Sequence, residues 1–161
     1  MNTKTKKRAL MSEEDVMLEV KMGKIEKASI LFEAYHVKLY NFFLRLTFNK
    51  PVSQDLTQNV FYRLIKYRKS YRSGSSFKSW IYQISRNALA DYYKKQQLRI
   101  ADYADVENLD IEAQNETDQV EKDRNLNKAL AMLDESDREL LVLNRFQGLK
   151  YEEIATLFKC S

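Results

Sequence analysis

Glycine and proline are nearly missing from this sequence, with three Gly and one Pro in 161 residues. Tight hairpins lean on Gly-containing turns, so a sheet built from hairpins has almost nothing to turn with, and an all-α chain is expected. A single cysteine, Cys160, excludes an internal disulfide and points to a reducing compartment. No apolar run approaches membrane-spanning length. The basic start (Lys4, Lys6, Lys7, Arg8) is followed by only Ala9, Leu10 and Met11 before Ser12 and two Glu, too little for a signal-peptide core. A cytoplasmic chain without membrane insertion is expected, with residues 1–11 as a solvated basic tail. The lone His36 flanks an apolar stripe and reads as a helix-edge residue. Cys160 has no metal-ligand spacing around it, and there is no Gly-rich phosphate loop. No cofactor, no metal and no enzymatic activity are expected.

What is present is unevenly spread. From Arg63 to Arg99 there are ten Lys/Arg against one acid, Asp91, interleaved with Tyr67, Tyr71, Phe77, Trp80, Tyr82, Tyr92 and Tyr93. Cations attract a phosphate backbone, and flat rings give unstacked bases a surface worth about 1–3 kcal/mol per base. A helical bundle with an aromatic core and a basic exterior has the same composition, so composition alone leaves both readings open. Residues 98–121 have the opposite character: eight acids and one base, a net charge of −7 that leaves +11 on the remainder of a chain whose total is +4. That segment lacks a sustained apolar stripe and reads as a flexible, self-repelling acidic linker between two small helical domains, 12–97 and 122–161.

Periodicity places the helices. Asp15 to Met22 forms a short helix capped by Ser12. Phe32, Tyr35, Leu39, Phe42 and Leu46 stripe a long helix from about Glu26 to Phe48. Pro51 ends the connection, Ser53 is the expected N-cap of a third helix, and Leu56, Val60, Leu64 and Tyr67 form its buried stripe. The run Arg72 to Ser76 breaks it. Phe77, Trp80, Ile84, Ala88 and Tyr92 stripe a fourth helix to about Gln97, a phase that favours packing over base contact for Trp80. In the second domain Leu126, Ala129, Leu130 and Leu133 mark one helix. Ser136 caps another that carries Leu140, Leu141 and Leu143 to Gly148, a good residue just past a helix end. Tyr151, Ile154, Ala155 and Phe158 mark a third. Two short helices meeting through a Gly-containing turn suggest the opening of a helix-turn-helix, although a plain helical bundle has the same periods.

Residue order adds more. Asp55-Leu56-Thr57-Gln58-Asn59-Val60-Phe61 is followed by Ser70-Tyr71-Arg72, Phe77-Lys78-Ser79-Trp80-Ile81, Ile84-Ser85-Arg86-Asn87, Asp91 and Lys94-Lys95. This succession resembles the second conserved region of bacterial sigma factors of the extracytoplasmic-function (ECF) group. Beyond the acidic segment, Leu133, Arg138, Leu141, Phe146, Gly148-Leu149, Tyr151-Glu152-Glu153-Ile154-Ala155 and Cys160-Ser161 resemble the start of that family's fourth region.

The resemblance implies a sigma factor that binds core RNA polymerase, recognises and melts the promoter minus-ten element, and has an anti-sigma factor as a partner. The third helix would dock on the polymerase β′ coiled coil through Asp55, Gln58, Asn59, Tyr62 and Arg63, with Asn59 standing where the family usually has an acid. The loop and fourth helix would handle promoter DNA through Tyr71, Arg72, Ser73, Gly74, Ser76, Phe77, Lys78, Arg86, Asn87, Lys94 and Lys95. Within that set, small residues shape a base pocket and Tyr71 or Phe77 offers a stacking face. Asn87 reaches a base edge, and the cations hold phosphates. The resemblance also implies that Ser161 precedes the recognition helix, leaving an incomplete helix-turn-helix whose residues after about Leu149 are expected either to pack poorly or to rely on another surface. Lys150 stands where the family commonly has a capping Ser or Thr. Two other classes remain: a helix-turn-helix regulator acting without polymerase, and a non-initiating decoy for polymerase or anti-sigma factor.

Overall fold

In the computed structural model the described residues, 10–102 and 118–159, are all-α, with no strand among them. Helix α1 spans Glu13–Lys21, α2 Ala28–Thr47, α3 Lys50–Lys66 and α4 Phe77–Asp102. The C-terminal part holds α5 (Asp118–Met132), α6 (Glu135–Leu141), a π-helical segment (Val142–Phe146) and α7 (Tyr151–Lys159). None of the described helices is long and apolar enough to cross a membrane. The basic tail (apart from its last residues), most of the acidic linker, and Cys160 and Ser161 lie outside the described residues. Residues 98–102 of the expected linker continue α4, and 118–121 begin α5.

Short-range chemistry sets the helix ends. Ser12 Oγ accepts from the Asp15 amide at 3.1 Å, so α1 begins where its cap predicts. The cap of α3 is Asn49 rather than Ser53: Asn49 Oδ1 accepts from Val52 N at 3.0 Å, and Pro51 lies inside the first turn, where a missing N–H leaves no helical bond unmade. Ser53 is buried within the helix, its hydroxyl donating to Asn49 O at 2.6 Å. Likewise Asp134, not Ser136, caps α6, accepting from Asp137 N at 2.8 Å. Gly148 adopts φ 69°, the left-handed conformation expected after a helix end.

The core is centred on α2, whose Leu31, Tyr35, Leu39, Phe42, Phe43 and Leu46 are buried against α1, α3 and α4. Phe32 is not part of that stripe. It is 40% exposed at the helix edge, where its ring meets Phe61 edge-on and stacks on His36. Leu56, Val60 and Leu64 of α3 point inward as expected, whereas Tyr67 turns out to solvent. In α4 the buried face is broader than one stripe: Phe77, Ile81, Tyr82, Ile84, Ser85, Ala88 and Leu89 are all buried, and Trp80 packs partly against the core.

That breadth has a cause. The C-terminal helices pack on the first domain, with α7 against α4, and α6 and the π-helical segment against α2. Leu130, Val142, Leu143, Leu149, Ile154 and Leu157 are buried, while Leu140, Leu141 and Tyr151 face out. The apolar side of α7 therefore does rest on another surface, and that surface is α4.

Candidate nucleic-acid and polymerase surfaces

Asp55, Gln58, Asn59 and Tyr62 lie together on the exposed side of α3. Asn59 Oδ1 accepts from Arg63 Nε at 2.6 Å, and Arg63 also pairs with Asp91 of α4 at 2.8 Å. The amide at position 59 thus holds the guanidinium in place, and Arg63 ties α3 to α4 while remaining partly exposed. Tyr62 is 62% exposed, a large ring on an otherwise polar face.

The loop between Tyr71 and Phe77 is pinned at both ends by α1. Lys21 Nζ donates to Tyr71 O at 2.6 Å, and Glu14 Oε1 accepts from Phe77 N at 3.1 Å. Within it Tyr71 OH donates to Ser75 O at 2.5 Å, and Ser76 Oγ accepts from Ser79 N at 3.2 Å, capping α4. Arg72, Ser73, Gly74, Ser75 and Ser76 form its exposed crest, with Gly74 at φ 84°. From Ser73 to Ser76 the crest carries only small side chains, which lets another molecule approach the backbone closely, and Gly74 takes a conformation that L-residues adopt at a cost.

Two expected stacking faces need correction. Tyr71 and Phe77 are both fully buried, Phe77 edge-on to Tyr35 at 5.3 Å and Tyr71 edge-on to Trp80 at 5.3 Å. Their rings build the floor under the loop and offer no face to a base. The alternation of aromatic and basic residues in the sequence did not distinguish floor from surface, because each ring's fate depends on α1 and α2 packing beneath it.

The remaining expected residues separate into two groups. Asn87, Lys94 and Lys95 are exposed along α4, and Asn87 Oδ1 accepts from Gln83 Nε2 at 3.1 Å. Lys78 and Arg86 instead turn toward the C-terminal helices. Arg86 forms an ion pair with Glu139, donates from Nη1 to Leu157 O at 2.6 Å, and lies over the Phe158 ring at 4.3 Å. Between them, Tyr82 OH donates to Gln147 Oε1 at 2.5 Å in a buried bond. These partners of α4 were not anticipated from sequence. Glu139 and Gln147 carry no local signal, since what recruits them lies 53 and 65 residues away.

Lys150 lacks a capping side chain, and Glu153 compensates by accepting from Lys150 N at 2.8 Å, the reciprocal half of a capping box. Among the described residues no His/Cys/Asp/Glu group could hold a metal.

Comparison with known proteins agrees with this arrangement. The Sigma-70 region 2 family matches residues 31–99, and the Sigma-70 region 4 family matches residues 123–161. The RNA polymerase sigma factor CarQ of Myxococcus xanthus is 30% identical over 129 residues, covering 79% of this chain and 74% of that protein. The ECF RNA polymerase sigma factor SigM of Bacillus subtilis is 29% identical, covering 81% of each. Among solved structures, the sigma factor RpoE of Bartonella quintana, in complex with the anti-sigma factor NepR, superposes with a TM-score of 0.68 at 25% identity over 83% of each chain. The chain belongs to the sigma-70 family of RNA polymerase sigma factors, in its ECF group.

Proposed function

We propose that this chain directs transcription initiation by docking on the β′ coiled coil of bacterial core RNA polymerase through α3 and by recognising and melting the promoter minus-ten element with the loop 72–76 and the exposed face of α4. The observation that carries this reading is the loop itself. Its small residues, Ser73 to Ser76, stand clear of the core while Lys21 and Glu14 hold its two ends. A rigid rim around an open backbone suits capture of an extruded base, whose unstacking costs a few kcal/mol. Asn87 is placed to hydrogen-bond a base edge, and Arg72, Lys94 and Lys95 offer charge to phosphates. Binding energy drives opening, and the chain is not an enzyme.

The α3 face of Asp55, Gln58, Asn59, Tyr62 and Arg63 supports the polymerase contact, because a flat polar surface with one exposed aromatic ring suits a helical partner. An anti-sigma factor is a further partner in this reading, as the Bartonella relative was solved with one. The site of action is the cytoplasm.

The test is equilibrium binding to purified core polymerase, followed by permanganate mapping of unpaired thymines at the promoter. Tight binding that is lost on Asp55→Ala with Gln58→Ala, together with opening that needs the loop, is expected. Binding that ignores the α3 substitutions would overturn the polymerase assignment. Opening indifferent to the loop and α4 would overturn the promoter assignment.

A further inference from the structure

We propose that Tyr67, at the C-terminal end of α3, gives an unpaired promoter base the stacking face that Tyr71 and Phe77 do not present, and that Lys66, Lys69 and Arg72 hold the flanking phosphates. The proposal rests on the promoter-binding role of the loop given above and adds a binding residue to it.

Of the rings between Phe61 and Arg99, two stand out in solvent: Tyr62, 62% exposed, and Tyr67, 48% exposed. The others are buried or half-buried. The two face different ways. Tyr62 lies with Asp55, Gln58 and Asn59 on the outward side of α3. Tyr67 instead continues the inward phase of Leu56, Val60 and Leu64, about 140° round the helix from Tyr62. At that point α3 has ended at Lys66, and the chain turns through Arg68–Ser70 into the loop. The ring therefore belongs to the loop side of the helix and not to the side that faces polymerase.

The turn that carries it is fixed. Tyr67 O accepts from Ser70 N at 2.9 Å and from Ser70 Oγ at 2.7 Å, and Tyr71 just beyond is held by Lys21. A ring mounted on an ordered turn gives up little freedom when a base stacks on it.

Charge around the ring has one sign. From Arg63 to Arg72 there are five Lys/Arg and no acid. Arg63 is paired with Asp91, and Arg68 turns back to donate to Ile65 O at 2.9 Å. Lys66, Lys69 and Arg72 stay exposed, and none of them forms an ion pair among the described residues. Lys66 Nζ lies 5.3 Å from the centre of the Tyr67 ring. A strand passing here meets unmatched cations and an exposed ring together, the combination that holds single-stranded nucleic acid. An acidic protein segment would satisfy the cations and leave the ring without a flat partner, whereas a nucleotide matches both. Every base has a stacking face, so Tyr67 adds affinity without sequence preference.

The test uses the full chain and a short fluorescein-labelled oligothymidylate read by anisotropy, with a second oligothymidylate carrying 5-iodouracil for photocross-linking. Peptide mapping is expected to place the parent's cross-link on Tyr67. Tyr67→Ala and Tyr67→Leu both remove the face, the second retaining apolar bulk, and each is expected to weaken binding about tenfold at an unchanged salt slope. Tyr67→Phe, the conservative variant, should retain both binding and cross-link. Lys69→Ala keeps the ring and should reduce the salt slope by about 1. Affinity of the Tyr67 variants for purified core polymerase is measured in parallel and is expected to match the parent. Parent-like DNA affinity in Tyr67→Leu would show that only bulk is needed and would overturn the proposal. A loss of polymerase affinity as large as the loss of DNA affinity would overturn it too, by assigning the ring to the protein interface. If the parent itself does not bind the oligothymidylate, the DNA role of the loop and α4 fails, and Tyr67 fails with it for that separate reason.

Discussion

Lys21 and Tyr71 are joined across 50 residues: the ammonium of Lys21 donates to the main-chain oxygen of Tyr71 at 2.6 Å. The contact fixes where the chain leaves the core and enters the exposed loop, so a residue of the first helix governs the loop's shape. Lys21→Met keeps the aliphatic stem and removes the donor. It is expected to cost about 1.5–3 kcal/mol, the range for a hydrogen bond to a charged group. Hydrogen exchange at Ser73 to Ser76 should accelerate, and urea denaturation should give the stability loss. Unchanged exchange would show that the loop holds its form without α1.

The cap of α3 offers a cleaner comparison. Asn49→Ala removes the bond to Val52 N and is expected to destabilise by about 1 kcal/mol, within the usual range for a lost N-cap. Thermal melts should register a lower Tm. Asn49→Asp, which keeps the acceptor, should restore it.

Gly74→Ala places a side chain at φ 84°, where nothing within 4 Å obstructs it and only the backbone conformation is penalised. The expected cost is about 1 kcal/mol of stability. Promoter opening should fall further than that loss explains if the bare backbone is what the base approaches, as permanganate reactivity at equal polymerase occupancy would reveal.

Alkaline pH should unfold the protein through its buried phenols. Burial raises the Tyr35, Tyr82, Tyr93 and Tyr71 hydroxyls above their ordinary value near 10, and for Tyr35 the bond to Glu13 adds to the effect. In the unfolded chain these groups lose protons near pH 10, while in the fold they keep them. The unfolded state then binds fewer protons, and stability falls with rising pH. The stabilisation is fully present below about pH 10 and declines above it. Tyr35→Phe should make that decline shallower in denaturant titrations between neutral and alkaline pH.

On DNA, Asn87→Ala and Lys94→Ala should differ in kind. Removal of Lys94 is expected to weaken binding for every sequence and reduce the salt slope by about 1, whereas removal of Asn87 should relax sequence preference at one position and leave the slope intact. Anisotropy across a salt series with two oligonucleotides separates the two.

Much of this architecture is legible without coordinates because it rests on short-range rules. The scarcity of Gly and Pro excluded hairpins, Ser12 marked the start of α1, and the spacing of Leu56, Val60 and Leu64 set the inward face of α3. The ordered motif blocks sufficed for the family, since residue identity at fixed spacing needs no packing information. The caps of α3 and α6 were misplaced from sequence, on Ser53 and Ser136, because only backbone geometry reveals that Asn49 and Asp134 hold those positions.

Other features depended on what packs against what. Tyr71 and Phe77 have the sequence surroundings of surface aromatics, and they are buried because α1 and α2 lie beneath them. Arg86 has those of a phosphate ligand, yet Leu157 O, 71 residues further along, holds it. Helical period and capping operate within a turn or two, so the amino-acid order by itself determined that the chain is helical, the inward positions of α3 and the family, but not the outward turn of Phe32, Tyr67, Leu140 and Leu141. Which cations stay free is set by partners brought together from distant parts of the chain, and that only the tertiary structure decided.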